Sequence, residues 1–442
     1  MVKKIFSAFV LMGVAVSLMA QNPVVWTKFT ADPAPMVEGD TLYLYTTHDA
    51  DTAENFAMYD WLLYTTTDMA NYTDHGAVAS LGDFKWYDNT NGAWAEQVIK
   101  RNGKYYMYCP IHGHGIGVLV SDTPYGPFED PIGKPLVWQK EHWYDIDPSP
   151  FIDDNGQAYL YWGNPRPYYC KLNRDMISYS GGIVRLEPPT DYQEGPWIFK
   201  KDNMYYMAFA STCCPEGIGY AMSHSIEGPW EAKGDIMPHT HLSRGNHPGI
   251  VPFGDKWYVF GLNYDVWATQ LKEQGKEYRH AERRSVSVAE MNFNADGTIQ
   301  KIDYWNPEGV KQIKWLDPFK RVEAETMAKA EWVKTLKSDR GVVVTDIENG
   351  DYIMLRGVDM AAGAKSISVS AMPKKSGRME IRIDSVDGEL IGTVDIKGKP
   401  DVWKSFSAKL NAKAKGVHNI YLVFKGEDAN ELFILDWWKM SN

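Results

Sequence analysis

The stretch DIDPSPFIDDNGQAYLYWG, residues 145–163, contains an Asp-Pro pair, a hydrophobic pair, an Asn-Gly turn and alternating aromatic residues. The same order appears in ADPAPMVEGDTLYLYTT, residues 31–47. A hydrophobic strand, a short turn of Asp, Asn or Gly, and a second alternating strand are typical of a β-hairpin. The repetition therefore indicates that one structural unit occurs more than once in the chain.

The hairpin pattern occurs five times, and the copies lie 63, 53, 47 and 52 residues apart when they are aligned on one tyrosine. The aligned residues are Tyr43, Tyr106, Tyr159, Tyr206 and Tyr258. A four-stranded repeat of about 50 residues is typical of a propeller blade. We therefore predict an all-β fold with a five-bladed β-propeller over residues 21–316. A β-sandwich whose turns recur by chance is the alternative.

The N-terminus has the pattern of a secretory signal peptide. Lys3 and Lys4 precede an apolar run, and a small-residue site ends at Ala20. This pattern predicts that residues 1–20 are removed and that the protein is exported, periplasmic or secreted. A buried N-terminal helix is the alternative. Without the two lysines, the formal net charge changes from −11 to −13, which disfavours nucleic acid and anionic membranes as partners. No obligate protein partner is indicated.

Four cysteines remain after the leader, and their spacing resembles neither a metal site nor a disulfide framework. They are Cys109, Cys170, Cys213 and Cys214. We expect the adjacent pair to be free or separately paired rather than bonded to itself.

Acidic residues recur at one position of the repeat, 11 or 12 residues before each aligned tyrosine. The residues there are Asp32, Ala95 with Glu96 beside it, Asp147, Glu194 and His247. Because the innermost strand of every blade lines the central channel, these side chains are predicted to meet at one mouth of it. Converging carboxylates raise the pKa of one member, and an acid facing a carboxylate is what glycosidic cleavage needs. Acids that cap turns are the alternative.

Four segments carry a family resemblance: ADPAP at 31–35, residues 145–163, EGPWIFKKDNMYYMAFAS at 194–211 and NHPGIVPFGDKWYVF at 246–260. They resemble the three acidic motifs and the histidine motif of glycoside hydrolase family 43. The resemblance implies an inverting hydrolase with Asp32 as general base and Glu194 as general acid. It implies that Asp147 orients Glu194 and raises its pKa. It also places His247 on the channel axis, where many members hold calcium or sodium through water.

Two further segments resemble the arabinofuranosidase and xylosidase branch of the family: residues 162–179 and residues 283–302. This resemblance implies that α-L-arabinofuranosyl or β-D-xylosyl units are removed from plant xylan or arabinoxylan. It places Asn164 near the substrate, Arg284 on the sugar and Trp94 under a sugar ring, although residues 94–98 read WAEQV where relatives have Trp-Ala-Pro. An endo-acting xylanase or arabinanase and a non-catalytic sugar-binding propeller remain alternatives.

The repeat stops after residue 320, and short alternating strands over residues 321–442 predict a β-sandwich. RVEAETM at 321 and LDWWKM at 435 resemble a family 6 carbohydrate-binding module. The resemblance implies a jelly roll in which Glu323, Glu325 and Asp436 hold a structural calcium ion, since oxygen ligands suit that cation. Trp403 matches one of two sugar-gripping aromatics of such modules, whereas Asp346 stands at the other position. We therefore expect weak sugar binding or none.

Overall fold

The computed structural model describes residues 22–87, 91–140, 144–239, 243–427 and 431–442. The predicted leader, residues 1–20, lies outside these ranges. The described residues form antiparallel β-sheets, one α-helix and one 3₁₀ turn. No helix among them is long and apolar enough to cross a membrane. The predicted all-β class is confirmed.

Five sheets follow one another along the first part of the chain. The first two contain β1 (Phe29–Glu38), β2 (Thr41–Asp49), β3 (Asp60–Thr66) and β4 (Tyr72–Ser80), then, after the 3₁₀ turn (Leu81–Asp83), β5 (Gln97–Arg101), β6 (Lys104–Pro110) and β7 (Ile116–Ser121). The third and fourth contain β8 (Ser149–Ile152), β9 (Ala158–Trp162), β10 (Tyr168–Leu172) and β11 (Tyr179–Arg185), then β12 (Tyr192–Lys201), β13 (Met204–Ser211), β14 (Ile218–Ser223) and β15 (Glu231–Met237). The fifth contains β16 (Gly249–Phe253), β17 (Lys256–Asn263) and β18 (Ser285–Met291), with α1 (Asp265–Glu273) between the last two.

The first strands of the five sheets form a closed ring. β1 contacts β5, β5 contacts β8, β8 contacts β12, β12 contacts β16, and β16 returns to β1. Within each sheet the strands pair with their neighbours in chain order, so the first strand lies at one edge of its sheet. The starts of all five first strands therefore surround a common centre.

Aromatic and branched side chains of the repeated hairpins pack between adjacent sheets. Between the first and fifth sheets, for example, Leu44, Tyr258 and Val288 belong to one buried cluster. Because the sheets are covered on both faces, hydrophobic residues occupy both sides of these strands, and the strict alternation of a one-sided sheet is lost.

Two further sheets form the C-terminal part. One contains β21 (Lys329–Glu331), β24 (Tyr352–Asp359), β26 (Gly377–Ile383), β27 (Glu389–Ile396) and β29 (Val417–Gly426). The other contains β19 (Val322–Glu323), β22 (Lys334–Ser338), β23 (Gly341–Thr345), β25 (Ser366–Pro373), β28 (Lys404–Lys409) and β30 (Phe433–Ser441). Ile353 and Leu422 of the first sheet share one buried cluster with Leu435 and Trp438 of the second.

The C-terminal part is joined to the first sheet by main-chain and side-chain hydrogen bonds. The short strand β20 (Thr326–Met327) pairs with β4. The Asn71 side chain donates to the Arg356 carbonyl at 2.9 Å and accepts from the Arg356 N–H at 2.8 Å. Buried hydrogen bonds of this kind leave costly unpaired groups if one partner is removed, so they tie the two parts together.

The cysteine prediction is wrong at one point. The structure joins Cys213 to Cys214, consecutive residues of the loop between β13 and β14, as a disulfide. Cys109 and Cys170 are buried free thiols.

Candidate active site

A cavity of about 140 Å³ lies at the centre of the ring of first strands. Its walls carry the three predicted catalytic acids and the predicted axial histidine. The lining residues are Asp32, Phe56, Met58, Trp94, Ala95, Ile146, Asp147, Glu194, Gly245, His247 and Arg284. Ligand pockets of drug-sized molecules measure about 300–1,000 Å³, so this cavity suits a smaller ligand of the size of one sugar unit.

Irregular backbone at the start of the first strands aims the acids into this cavity. The pairing of β1 with β2 shifts register between Ala31 and Ala34, and that of β12 with β13 shifts between Glu194 and Trp197. Asp32 has a φ of 48°. Bulges and left-handed residues of this kind re-aim side chains and are frequent beside active sites.

Asp32 is held by two donors. Arg284 donates from Nη1 to Oδ1 of Asp32 at 3.0 Å, and the Thr47 hydroxyl donates to Oδ2 at 2.9 Å. Arg284 is itself fixed by Asp49, to which its Nε and Nη2 donate at 2.9 and 2.8 Å. The Arg284 side chain is only 2% exposed. Arg284 thus lines the cavity, but its main contacts are with carboxylates rather than with an open sugar site.

His247 lies between the acids. Its Nδ1 is 3.6 Å from Oδ1 of Asp32, and its Nε2 is 3.7 Å from Oδ2 of Asp147 and 3.6 Å from Oε1 of Glu194. Burial opposes the charged imidazolium, but Asp147, Asp32 and Glu194 outweigh it and raise the pKa of His247 to about 10. Both ring nitrogens therefore face carboxylates.

Asn164 contacts Glu194 and not the open part of the cavity. Its side-chain amide donates to Oε2 of Glu194, and its own oxygen accepts from the Gln193 amide at 3.1 Å. The predicted place of Asn164 near the substrate is thus refined: it orients the acid that points into the cavity.

Asp147 and Glu194 titrate as a pair, and the pKa values of the two acids shift in opposite directions. Burial, with the charges of Glu194 and Asp32, raises the pKa of Asp147 to about 8 although His247 opposes the shift. Burial also disfavours ionised Glu194, but His247 and Asn164, with Arg284, hold its pKa below the usual value. Donors surround Glu194 and leave Asp147 with one backbone N–H, so the shared proton of the pair is favoured on Asp147; the effect of Asp147 on the pKa of Glu194 stays a prediction.

The aromatic wall of the cavity is formed by Trp94 and Phe56. The Trp94 indole stacks on His112 with ring centroids 4.1 Å apart and lies 6.3 Å from the Phe56 ring. Trp94 therefore lines the cavity with one face of its indole covered by His112, and its contact with a sugar ring stays a prediction.

Several residues of the site were not found from the sequence. Thr47 and Asp49 lie in β2 and hold Asp32 and Arg284. Glu216 is buried, its Oε2 accepts from the Asn246 N–H at 2.8 Å, and burial with the charge of Glu194 raises its pKa to about 7. Asp49 and Glu216 lie outside the repeated motif and Thr47 is its last residue, so the acidic position of the repeat carried no signal for them.

The predicted calcium ligands of the C-terminal part fit a cation only in part. Glu325 is 5% exposed, and its Oε2 has no hydrogen-bond partner in the protein. An oxygen that binds a cation has this arrangement when the ion is not included. Burial, with Glu323 and Asp436, raises the pKa of Glu325 to about 9. Asp436, however, accepts from Arg340 at 2.6 Å and lies 3.5 Å from Arg321. Glu323 likewise accepts from Arg321 at 2.8 Å, so both partners of Glu325 are paired with arginine here, and the three-carboxylate calcium site stays a prediction.

Carboxylates on two sides of an imidazole, in a sugar-sized cavity with an aromatic wall, define a site for acid–base cleavage of a glycosidic bond. This is the site of a glycosidase. Residues 20–299 match the sequence profile described as "Glycosyl hydrolases family 43", and residues 323–442 match "Carbohydrate binding module (family 6)". The chain belongs to glycoside hydrolase family 43, and both resemblances seen in the sequence are confirmed.

The chain resembles characterised relatives over nearly its whole length. It is 31% identical over 485 residues to an arabinoxylan arabinofuranohydrolase of Bacillus subtilis, with 95% of this chain and 92% of the relative covered. A crystal structure of a family 43 arabinoxylan arabinofuranohydrolase from Bacillus subtilis, in complex with cellotetraose, has a TM-score of 0.84 and 28% identity. It covers 97% of this chain and 100% of its own.

A second solved structure matches about two thirds of the chain. It is a family 43 β-xylosidase/α-arabinofuranosidase from a compost microbial metagenome, in complex with xylotriose and in calcium-free form. The TM-score is 0.56 and the identity 26%, with 65% of this chain and 98% of that chain covered.

Proposed function

We propose that the protein is an exported, inverting glycosidase that removes single α-L-arabinofuranosyl units from arabinoxylan-type polysaccharides or oligosaccharides. The observation that carries the proposal is the cavity of about 140 Å³ with the three acids on its walls, since it admits one sugar unit rather than a chain. The full-length relative of Bacillus subtilis is described as an arabinoxylan arabinofuranohydrolase. Release of β-D-xylosyl units is the second candidate, favoured by the relative with both activities.

Asp32 is proposed as the general base. Arg284 and Thr47 fix the orientation of the Asp32 carboxylate. One of its oxygens takes a proton from the water molecule that attacks the anomeric carbon. Glu194 is proposed as the general acid, which gives a proton to the leaving oxygen. Asp32 and Glu194 lie at different nitrogens of the His247 ring, which supports the wide carboxylate separation that inversion requires.

The proton for the leaving group is proposed to belong to the pair of Asp147 and Glu194. Because the pKa of Asp147 is raised to about 8, the pair retains one proton at neutral pH. Both acids line the cavity, and Glu194 delivers this proton, because its carboxylate is oriented by Asn164. Trp94 is proposed to cover one face of the bound sugar.

The ring of five sheets supports the proposal of a five-bladed propeller over residues 21–316. The two C-terminal sheets, with one shared buried cluster, support a β-sandwich over residues 321–442. The relatives support a plant polysaccharide or oligosaccharide substrate. Export is proposed from the signal-peptide pattern of residues 1–20 alone.

Calcium is proposed at the C-terminal part and on the ring axis. Glu323, Glu325 and Asp436 would hold the first ion, which would neutralise the buried Glu325 carboxylate and, through Asp436, join the first strand of this part to the last. The predicted axial ion near His247 would lower the repulsion among the acids. Neither ion is needed for the proton transfers described above.

Substrate choice is tested by rates on aryl α-L-arabinofuranoside and aryl β-D-xyloside, followed by product analysis on arabinoxylan. We expect a kcat/KM at least 10-fold higher on the arabinofuranoside, with free arabinose as the sole small product. A preference for the xyloside would favour the second candidate. Release of xylo-oligosaccharides from the main chain would contradict the proposal.

A further inference from the structure

Glu216 is a buried carboxylate beside the active site that the proposed acid–base chemistry does not use. It is 2% exposed and lies in the loop between β13 and β14, outside the lining of the sugar cavity. A buried carboxylate is costly unless donors meet it. The contacts of Glu216 therefore indicate what this side chain does.

Glu216 holds the segment of residues 243–247 by two hydrogen bonds. Its N–H donates to the Ser243 carbonyl at 3.1 Å, and its Oε2 accepts from the Asn246 N–H at 2.8 Å. The Gly245 N–H also faces the carboxylate. The main chain of this segment is thus fixed on both sides of Gly245 by one residue.

Residues 243–247 form part of the cavity wall and carry the axial histidine. Gly245 and His247 line the cavity, and the His247 N–H donates to the Gly245 carbonyl at 2.9 Å. A Cβ added to Gly245 would lie 3.2 Å from Nη1 of Arg284 and 4.0 Å from Oε1 of Glu194. A shift of this main chain would therefore disturb both the arginine that holds Asp32 and the acid.

The other anchor of the segment leaves its main chain free to shift. The Asn246 side-chain oxygen accepts from the Leu262 N–H at 3.1 Å. This bond fixes the end of a side chain, whereas the Glu216 carboxylate meets the backbone N–H of the same residue. Loss of Glu216 would leave that buried N–H without its acceptor, which is costly for the folded arrangement.

We propose that Glu216 is a positioning residue for the reaction, which fixes the main chain at Gly245 and Asn246 and thereby places His247 between the acids. The inference rests on the proposed glycosidase function. A displacement of about 1 Å far from the reacting atoms can lower a rate by about 10²-fold. The role requires an oxygen acceptor at this place, which the amide of glutamine also supplies.

The test compares Glu216→Ala with Glu216→Gln in the full chain, on the aryl glycoside that the wild-type protein hydrolyses faster. We expect Glu216→Ala to lower kcat at least 10-fold, with KM changed by less than about threefold because the aromatic wall of the cavity stays. Glu216→Gln keeps the acceptor and should retain at least a third of the wild-type kcat. Thr212→Ala, at an exposed residue of the same loop, is the matched control and should have the wild-type kcat.

A wild-type kcat in Glu216→Ala would overturn the proposal, and so would equal losses in Glu216→Ala and Glu216→Gln. If Glu216→Ala does not fold, Glu216→Asp decides, because it keeps the charge and withdraws the oxygens by one methylene. We expect its kcat to fall at least fivefold, and a wild-type value would overturn the proposal.

The proton resonances of the His247 ring report its placement without hydrolysis. They should shift in Glu216→Ala and stay at the wild-type position in Glu216→Gln, and identical spectra of the two variants would contradict the positioning role. A wild-type protein that hydrolyses neither aryl glycoside would contradict the proposed function, and this spectroscopic comparison would still decide the role of Glu216.

Discussion

Arg284 holds Asp32 from one side of the cavity, and Asn164 holds Glu194 from the other. Both were predicted as sugar ligands, yet their contacts are with the acids. The partners of Arg284 come from β1 and β2, and the nearer of them in the chain, Asp49, lies 235 residues earlier. Such a distant contact leaves no local pattern in the sequence, whereas the acids themselves recur at a fixed position of the repeat.

Substitution of the two outer acids should separate their roles. Asp32→Asn removes the base, so we expect turnover to fall by at least 10²-fold on every substrate. Glu194→Gln should be comparably harmful on arabinoxylan, but much milder on aryl substrates whose leaving group departs as a stable anion. Initial rates on both substrate types measure this. Asp40→Asn, an exposed turn residue, is the matched control; equal damage by Glu194→Gln on both substrates would contradict the assignment.

The raised pKa of Asp147 predicts the alkaline side of the pH profile. The proton of the acid pair is present below its pKa of about 8 and is lost as the pH rises through that value. kcat/KM on arabinoxylan oligosaccharides should therefore fall above about pH 8. In Asp147→Asn only the lowered pKa of Glu194 remains, so the fall should move to lower pH. If kcat/KM of Asp147→Asn falls at the same pH as that of the wild-type protein, the pair does not supply the proton.

At the scale of the strand, the hairpin repeat predicted the five sheets, but not the irregularities that aim the acids. The register shifts at Asp32 and Glu194 are visible only in the pairing of the strands. In the sequence, only the Pro or Gly that follows each acid indicates these register shifts. The opposite pKa shifts of Asp147 and Glu194 could not be predicted either, because they depend on the distances of both acids from His247 and on the contact of Asn164 with Glu194.

Gly195 shows how tightly one strand is fitted to the next. It has a φ of 60°, and a Cβ added there would lie 2.8 Å from the His247 ring. Gly195→Ala should lower kcat by at least 10-fold, because His247 or Glu194 must move. Gly156 also has a positive φ, but a Cβ there meets nothing within 4 Å.

Gly156→Ala is therefore the matched control for Gly195→Ala. Left-handed alanine costs about 1–2 kcal/mol at either position, and the contact with His247 adds to this loss of stability in Gly195→Ala alone. Only Gly195→Ala should lose turnover. Equal kcat values in the two variants would show that the contact with His247 does not matter for catalysis.

At the scale of the whole molecule, the C-terminal part is attached by β20 and by the pair of Asn71 and Arg356. Its predicted sugar-binding aromatic, Trp403, has a guanidinium over its ring: Arg340 lies 4.8 Å from the ring centroid and is anchored on Asp436. A covered face cannot stack on a sugar, which agrees with the expected weakness of sugar binding.

Removing this indole should therefore change little. In the full chain carrying Asp32→Asn, Trp403→Ala should alter binding to insoluble arabinoxylan by less than about twofold, since stacking worth about 1 kcal/mol would change it severalfold. Trp94→Ala in the same background should weaken binding, because Trp94 lines the active-site cavity. Pull-down isotherms measure both. A tenfold loss with Trp403→Ala would assign sugar binding to the C-terminal part.

The stereochemistry of the first product tests the proposed chemistry most directly. Proton nuclear magnetic resonance can follow hydrolysis of an aryl α-L-arabinofuranoside by the wild-type protein from the first turnovers, before the free sugar equilibrates. If Asp32 activates water while Glu194 protonates the leaving oxygen, β-L-arabinofuranose appears first and the α-anomer grows only by mutarotation. Initial appearance of the α-anomer would mean retention through a covalent intermediate, and would contradict the roles assigned to Asp32 and Glu194.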